Sequence, residues 1–188
     1  MIRLAIVGDI GSGKSYVAKL FGYPVFNADA EVAKLYRKSR KCHSKLKKIL
    51  PNYITSFPVK KIELSKAIMA NQQNLKKIIK VVHPEVRSRM NNFIKKNRNK
   101  KFIVLDIPLL IENKINKKNE ILIFVDAKKK EIKKRVKKRN VSAKILKKFQ
   151  LPLEIKKKKS DYIIKNNFRH DSTKKNVKRV LRKILLNA

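Results

Sequence analysis

Gly8-Asp9-Ile10-Gly11-Ser12-Gly13-Lys14-Ser15 satisfies the pattern GxxxxGK[ST], and its neighbours set it in the context that pattern needs. Before it runs Ile2 to Val7, a short apolar stretch rich in branched residues that reads as a strand. After it Val17, Ala18, Leu20 and Phe21 recur at helical spacing. A loop that wraps a polyphosphate turns its backbone N–H groups inward, which glycines permit by accepting positive φ. The chain has only 4 glycines, yet Gly8, Gly11 and Gly13 all fall here. The helix that follows points its positive end at the anion, Lys14 is expected to reach the β and γ phosphates, and the Ser15 hydroxyl to ligate Mg²⁺. Gly8 through Ser15, with Tyr16 after them, are thus the expected ATP contacts. The loop alone says only that a nucleoside triphosphate binds.

Moving outward, 188 residues suffice for one complete domain with insertions. A formal net charge of +38 would ordinarily suggest nucleic acid or an anionic membrane. The excess is mostly lysine, however, and is spread along nearly the whole chain after Tyr36 among many Asn and Ile residues. That pattern favours compositional drift over a selected patch. The single cysteine, Cys42, excludes an intramolecular disulfide, and no Cys/His cluster has metal-ligand spacing. The apolar runs are too short to span a bilayer, so a soluble cytoplasmic protein is expected.

Pro24 to Phe26, Lys101 to Ile107, Ile121 to Val125 and Tyr162 to Ile164 read as further strands, and a helix is expected from about Ser172 to Leu186. Strands alternating with helices predict an α/β fold: a parallel five-stranded sheet in a three-layer phosphate-loop NTPase arrangement. The core is expected over about 1–30, 98–127 and 160–188. Residues 31–97 read as a helical acceptor-binding insertion broken at Pro51, Pro58 and Pro84, and 128–159 as a charged helical lid.

Four further segments resemble the dephospho-CoA kinase family: Asn27-Ala28-Asp29, His83-Pro84, Asp106-Ile107-Pro108-Leu109-Leu110-Ile111-Glu112, and Ser160-Asp161-Tyr162-Ile163-Ile164-Lys165-Asn166. Their order and spacing hold from Met1 to about Asn167. The PLLxE segment distinguishes that family from adenylate, guanylate and shikimate kinases. The resemblance implies transfer of phosphate from ATP to the 3′-hydroxyl of dephospho-CoA, giving coenzyme A in the last step of its biosynthesis. It also implies a small-molecule substrate, no specific nucleic acid or membrane partner, and a monomer or weak oligomer.

By that resemblance Asp29 is the catalytic base. Independently, a carboxylate after a strand end beside the phosphate loop suits loose phosphoryl transfer, although a helix N-cap is the alternative. Asp106 ends a hydrophobic strand, where a carboxylate either helps hold Mg²⁺ or caps the strand. Pro108, Leu109 and Glu112 would wall the acceptor site, with Glu112 an orienting contact. Lys61 and His83 are further acceptor-site candidates, His83 alternatively being a satisfied helix end. Arg135 and Arg139, spaced i, i+4, match lid arginines that clamp phosphate, against a plain solvated basic face. Asn166 by resemblance borders the adenine.

The departures from the family pattern are Asn27 for its first acid, Tyr16 for a common Thr, Glu131 for a common Gln, and Lys61 for a common Arg. The last puts a bidentate acceptor contact in doubt. Another phosphate-loop kinase, or a nucleic-acid-binding NTPase with an arginine-rich or aromatic face, are the competing readings.

Overall fold

The opening apolar run forms strand β1 (Ile2–Gly8), the central strand of a five-stranded parallel sheet. This computed structural model describes residues 1–108, 110–112, 119–137 and 150–187. With β2 (Val25–Asn27), β3 (Phe102–Asp106), β4 (Glu120–Asp126) and β5 (Tyr162–Lys165), the order is β2-β3-β1-β4-β5. β1 pairs with β3 through Ala5↔Leu105 and with β4 through Val7↔Phe124, while Asn27 lies opposite Asp106. Because every pairing is parallel, Gly8, Asn27, Asp106, Asp126 and Lys165 all end at one edge of the sheet. Ligands of open α/β sheets bind at that edge.

Two compact units divide the chain: Met1–Asn27 with Asn97–Ala188, and Ala28–Lys96. The first contains the sheet, α1 (Lys14–Leu20), α6 (Lys129–Lys137), α7 (Leu153–Lys158) and α8 (His170–Leu186). Strand side chains alternate between faces, so Leu4, Ile6, Val104 and Ile123 meet Val17 of α1 and Val177, Val180 and Ile184 of α8. Ala5, Val7, Ile103 and Leu105 lie on the opposite side and are buried too. Continuous rather than alternating burial is what a parallel sheet covered on both faces demands.

The second unit folds α2 (Ala28–Lys38), α3 (Arg40–Ile49), α4 (Lys61–Ala70) and α5 (Gln72–Lys96) around Leu35, Cys42, Leu46, Ile54, Ala67, Ile78 and Val82. One sequence expectation is corrected here. Pro84 does not break the helix, since α5 runs through it. The proline forfeits the bond to the Lys80 carbonyl, but both residues are exposed, so water can serve that oxygen. Val82 and Val86 keep the helix packed on the core on either side.

Candidate active site

At the C-terminal edge of β1 the chain turns through Gly8–Gly13 into α1. Lys14 folds back over this turn, its ammonium donating to Gly8 O at 3.2 Å and Asp9 O at 2.8 Å. Two glycines permit close approaches from outside the turn. Gly13, at φ 91, has Asn166 so near that a Cβ would sit 2.4 Å from Nδ2. Gly11, at φ 86, lies under α6, and a Cβ there would meet Val136 Cγ2 at 2.8 Å. Ser15, the second residue of α1, is exposed, as is Tyr16, whose hydroxyl shares a 2.8 Å hydrogen bond with His170 Nδ1.

The turn is braced from β5. Asn166 is 2 % exposed, and its amide donates to Ser12 O at 2.8 Å while its oxygen accepts from Phe168 N and Thr173 Oγ1, each at 2.9 Å. What the structure shows of Asn166 is therefore a brace under the phosphate loop. Phe168 holds φ 63, a strained value for a non-glycine, and the guanidinium of Arg135 lies over its ring at 4.1 Å. Asp161 of the same motif accepts from Leu122 N at 2.8 Å and so fastens the start of β5 to β4.

Asp106 is 2 % exposed at the end of β3, and the Asn27 amide donates to its Oδ2. That bond gives Asn27 its part: an amide can donate to Asp106 where an acid at this position would repel it. Among the described residues no group of three His, Cys, Asp or Glu side chains is set to enclose a metal. Ser15 offers an exposed hydroxyl and Asp106 a buried carboxylate, both oxygen donors of the kind Mg²⁺ takes.

A dephospho-CoA kinase family profile matches residues 2–172. The chain belongs to the dephospho-CoA kinase family. With membership goes the activity, phosphoryl transfer to dephospho-CoA with ATP as donor. The dephospho-CoA kinase of Wolbachia pipientis is 31 % identical over 98 % of both chains, and that of Bartonella quintana 30 % over 98 % of both. A crystal structure of a Thermus thermophilus protein, 28 % identical, superposes with a TM-score of 0.75 over 99 % of this chain and 97 % of its own. Dephospho-CoA kinase from Campylobacter jejuni, at TM-score 0.67, 21 % identity and coverage of 97 % and 96 %, shares the fold.

The remaining expected site residues of this kinase are distributed as follows. Asp29 lies exposed in the first turn of α2, where the helix dipole favours a carboxylate, and not at its N-cap. Lys61 opens α4 and is exposed. His83 is half-buried on α5 beside Arg87, bordering an open hollow of about 740 Å³. Burial, and secondarily the Arg87 charge, lower its pKa and keep its ring neutral at physiological pH. Pro108 follows β3, and Glu112 pairs with Lys156 at 2.5 Å. Leu109 and Arg139 lie outside the described residues.

Sequence reasoning missed Lys156, Gln150, Thr173 and Phe168. Lys156 is hidden in the run Lys156–Lys159, where nothing in residue type marks the one that turns inward. For Thr173, one helical turn into α8 and seven residues from Asn166, the spacing to the motif was the available signal.

Proposed function

We propose that this chain phosphorylates the 3′-hydroxyl of dephospho-CoA, with the triphosphate held at the phosphate-loop edge of its sheet. The observation that carries this reading is the dephospho-CoA kinase family match over residues 2–172, to which the Gly8–Ser15 turn, closed on the Lys14 ammonium and braced by Asn166, adds the site for the triphosphate. Once triphosphate enters, Lys14 exchanges its two backbone carbonyls for phosphate oxygens, a stronger charge-assisted pairing. Loop amides and the start of α1 hold the polyphosphate, with Gly8, Asp9, Ile10, Gly11, Ser12 and Gly13 giving the backbone, and Tyr16 and Arg139 are further candidate ATP contacts. Arg135 leaves the Phe168 ring to meet charge on the transferred phosphoryl, which a planar guanidinium does bidentately.

Asp29 orients the acceptor hydroxyl and takes its proton late, as suits a loose transition state. Ser15 and Asp106 are the residues that would hold Mg²⁺, which supplies charge neutralisation between β and γ phosphates when bound. Lys61, His83, Pro108, Leu109 and Glu112 are the candidate acceptor contacts, 31–97 the candidate acceptor-binding insertion and 128–159 the candidate lid. Among the described residues no helix is long and apolar enough to cross a membrane. We place the enzyme in the cytoplasm, as a monomer or weak oligomer without a specific nucleic-acid partner.

The test is ADP release with dephospho-CoA against a panel of nucleosides, nucleotides and RNA, at two salt concentrations and with or without Mg²⁺. Strong, Mg²⁺-dependent stimulation by dephospho-CoA alone is expected. Its absence overturns the assignment.

A further inference from the structure

Lys156 is 3 % exposed, the one buried lysine among the described residues of a lysine-rich chain. Its ammonium meets Glu112 Oε1 at 2.5 Å, and the same oxygen accepts from Leu151 N at 3.1 Å. Gln150, oriented so that both ends of its amide are satisfied, accepts from Lys156 Nζ at 3.1 Å and donates to Asp9 Oδ1 at 3.1 Å. Asp9 Oδ1 also accepts from Ile10 N at 2.7 Å, and Asp9 O accepts from the Lys14 ammonium. An unbroken polar chain therefore runs from Glu112 through Lys156, Gln150 and Asp9 to Lys14.

We infer that Lys156 is a positioning residue, which holds the phosphate loop through Gln150 and the Ile107–Glu112 segment through Glu112, so that one buried cation sets both. Stability alone is a poor reason for such a pair. Desolvating two charges consumes most of their attraction, and apolar residues of similar size often serve a fold equally well. What apolar residues cannot do is direct hydrogen bonds, and every bond of Lys156 named here leads to a segment expected to touch substrate. A cation between Glu112 and the Gln150 carbonyl oxygen leaves the amide N–H group facing Asp9, which turns that side chain away from the phosphates it would repel. The acceptor arm of this inference rests on the proposed function. The ATP arm does not.

The experiment compares wild type, Lys156→Met, Gln150→Leu and the pair Lys156→Met with Glu112→Leu. Equilibrium binding of a fluorescent ATP analogue, thermal melting and KM for dephospho-CoA are measured on each. Gln150→Leu is expected to weaken ATP binding several-fold with KM for dephospho-CoA unchanged, and Lys156→Met to impair both by about tenfold. The double variant is expected to regain the melting temperature lost in Lys156→Met but not the ATP affinity. ATP affinity returning with stability, or remaining at the wild-type value in Gln150→Leu and in folded Lys156→Met, overturns the inference. Should Lys156→Met fail to fold, Gln150→Leu decides. A wild-type enzyme indifferent to dephospho-CoA would refute the proposed function while leaving the ATP comparison intact.

Discussion

Gly13 shows most sharply how much a single position can be asked to do. At φ 91 it already occupies a region costly to L side chains, and a Cβ would also sit 2.4 Å from the Asn166 amide that holds Ser12 O. Gly13→Ala is expected to lose about 2 kcal/mol of stability from backbone strain and the displaced brace, and at least tenfold in ATP affinity. Calorimetric melting with nucleotide titration checks both, and normal affinity would show that the brace is dispensable. On the role proposed for Asp29, Asp29→Asn preserves shape and removes the proton acceptor, so turnover should fall by about two orders of magnitude with ATP affinity retained. Rapid-quench kinetics measure it, and equal loss of ATP binding would make Asp29 structural. Gly13 was legible from the spacing of the phosphate-loop motif, whereas Asp29 was singled out as a candidate by family resemblance. The engagement of Asn166 with Ser12 O was not legible, because it joins residues 154 positions apart.

At the scale of elements, α4 depends on Glu63. Burial would raise its pKa, but the Thr55 hydroxyl and the N–H groups of Lys60, Thr55 and Ser56 outweigh that and hold it down at about 2. A depressed carboxylate stabilises the fold fully above its ordinary pKa of 4.5, and the contribution is lost as pH falls toward 2. Glu63→Gln should therefore cost about 3 kcal/mol near neutrality and progressively less below pH 4.5. Urea midpoints at pH 7 and pH 3 test this, and a pH-independent difference would contradict it. Glu31 in α2 is likewise lowered: burial opposes ionisation, but bonds from Lys34 and Arg89 prevail. In α7 the polarity is inverted, since Ile155 is 41 % exposed while Lys156 is buried. Hydrophobic pattern would choose the reverse, and so cannot locate the Glu112 partner. Pro84 fails as a breaker for a related reason, as packing of α5 through Val82 and Val86 outweighs a local preference.

For the whole molecule, a net charge of +38 attracts polyphosphate from a distance, and salt screens it, the Debye length falling from about 10 Å at 0.1 M to about 3 Å at 1 M. Raising KCl should lower kcat/KM for ATP several-fold while leaving kcat nearly constant. Stopped-flow binding and steady-state rates over a salt series measure this, and a salt-independent kcat/KM would show that the charge does no steering. By itself the sequence determined the parallel sheet, the strand end that carries Asp106, and the glycine-rich turn that joins β1 to α1. These follow from apolar periodicity, turn chemistry and motif spacing, which are local properties. Only tertiary structure decided the strand order, the Asn27 bond to Asp106, the bracing of the loop by Asn166, and which lysine is buried. Those depend on the free energy of pairing residues far apart in the chain, and side-chain type carries no record of a partner that folding has yet to bring near.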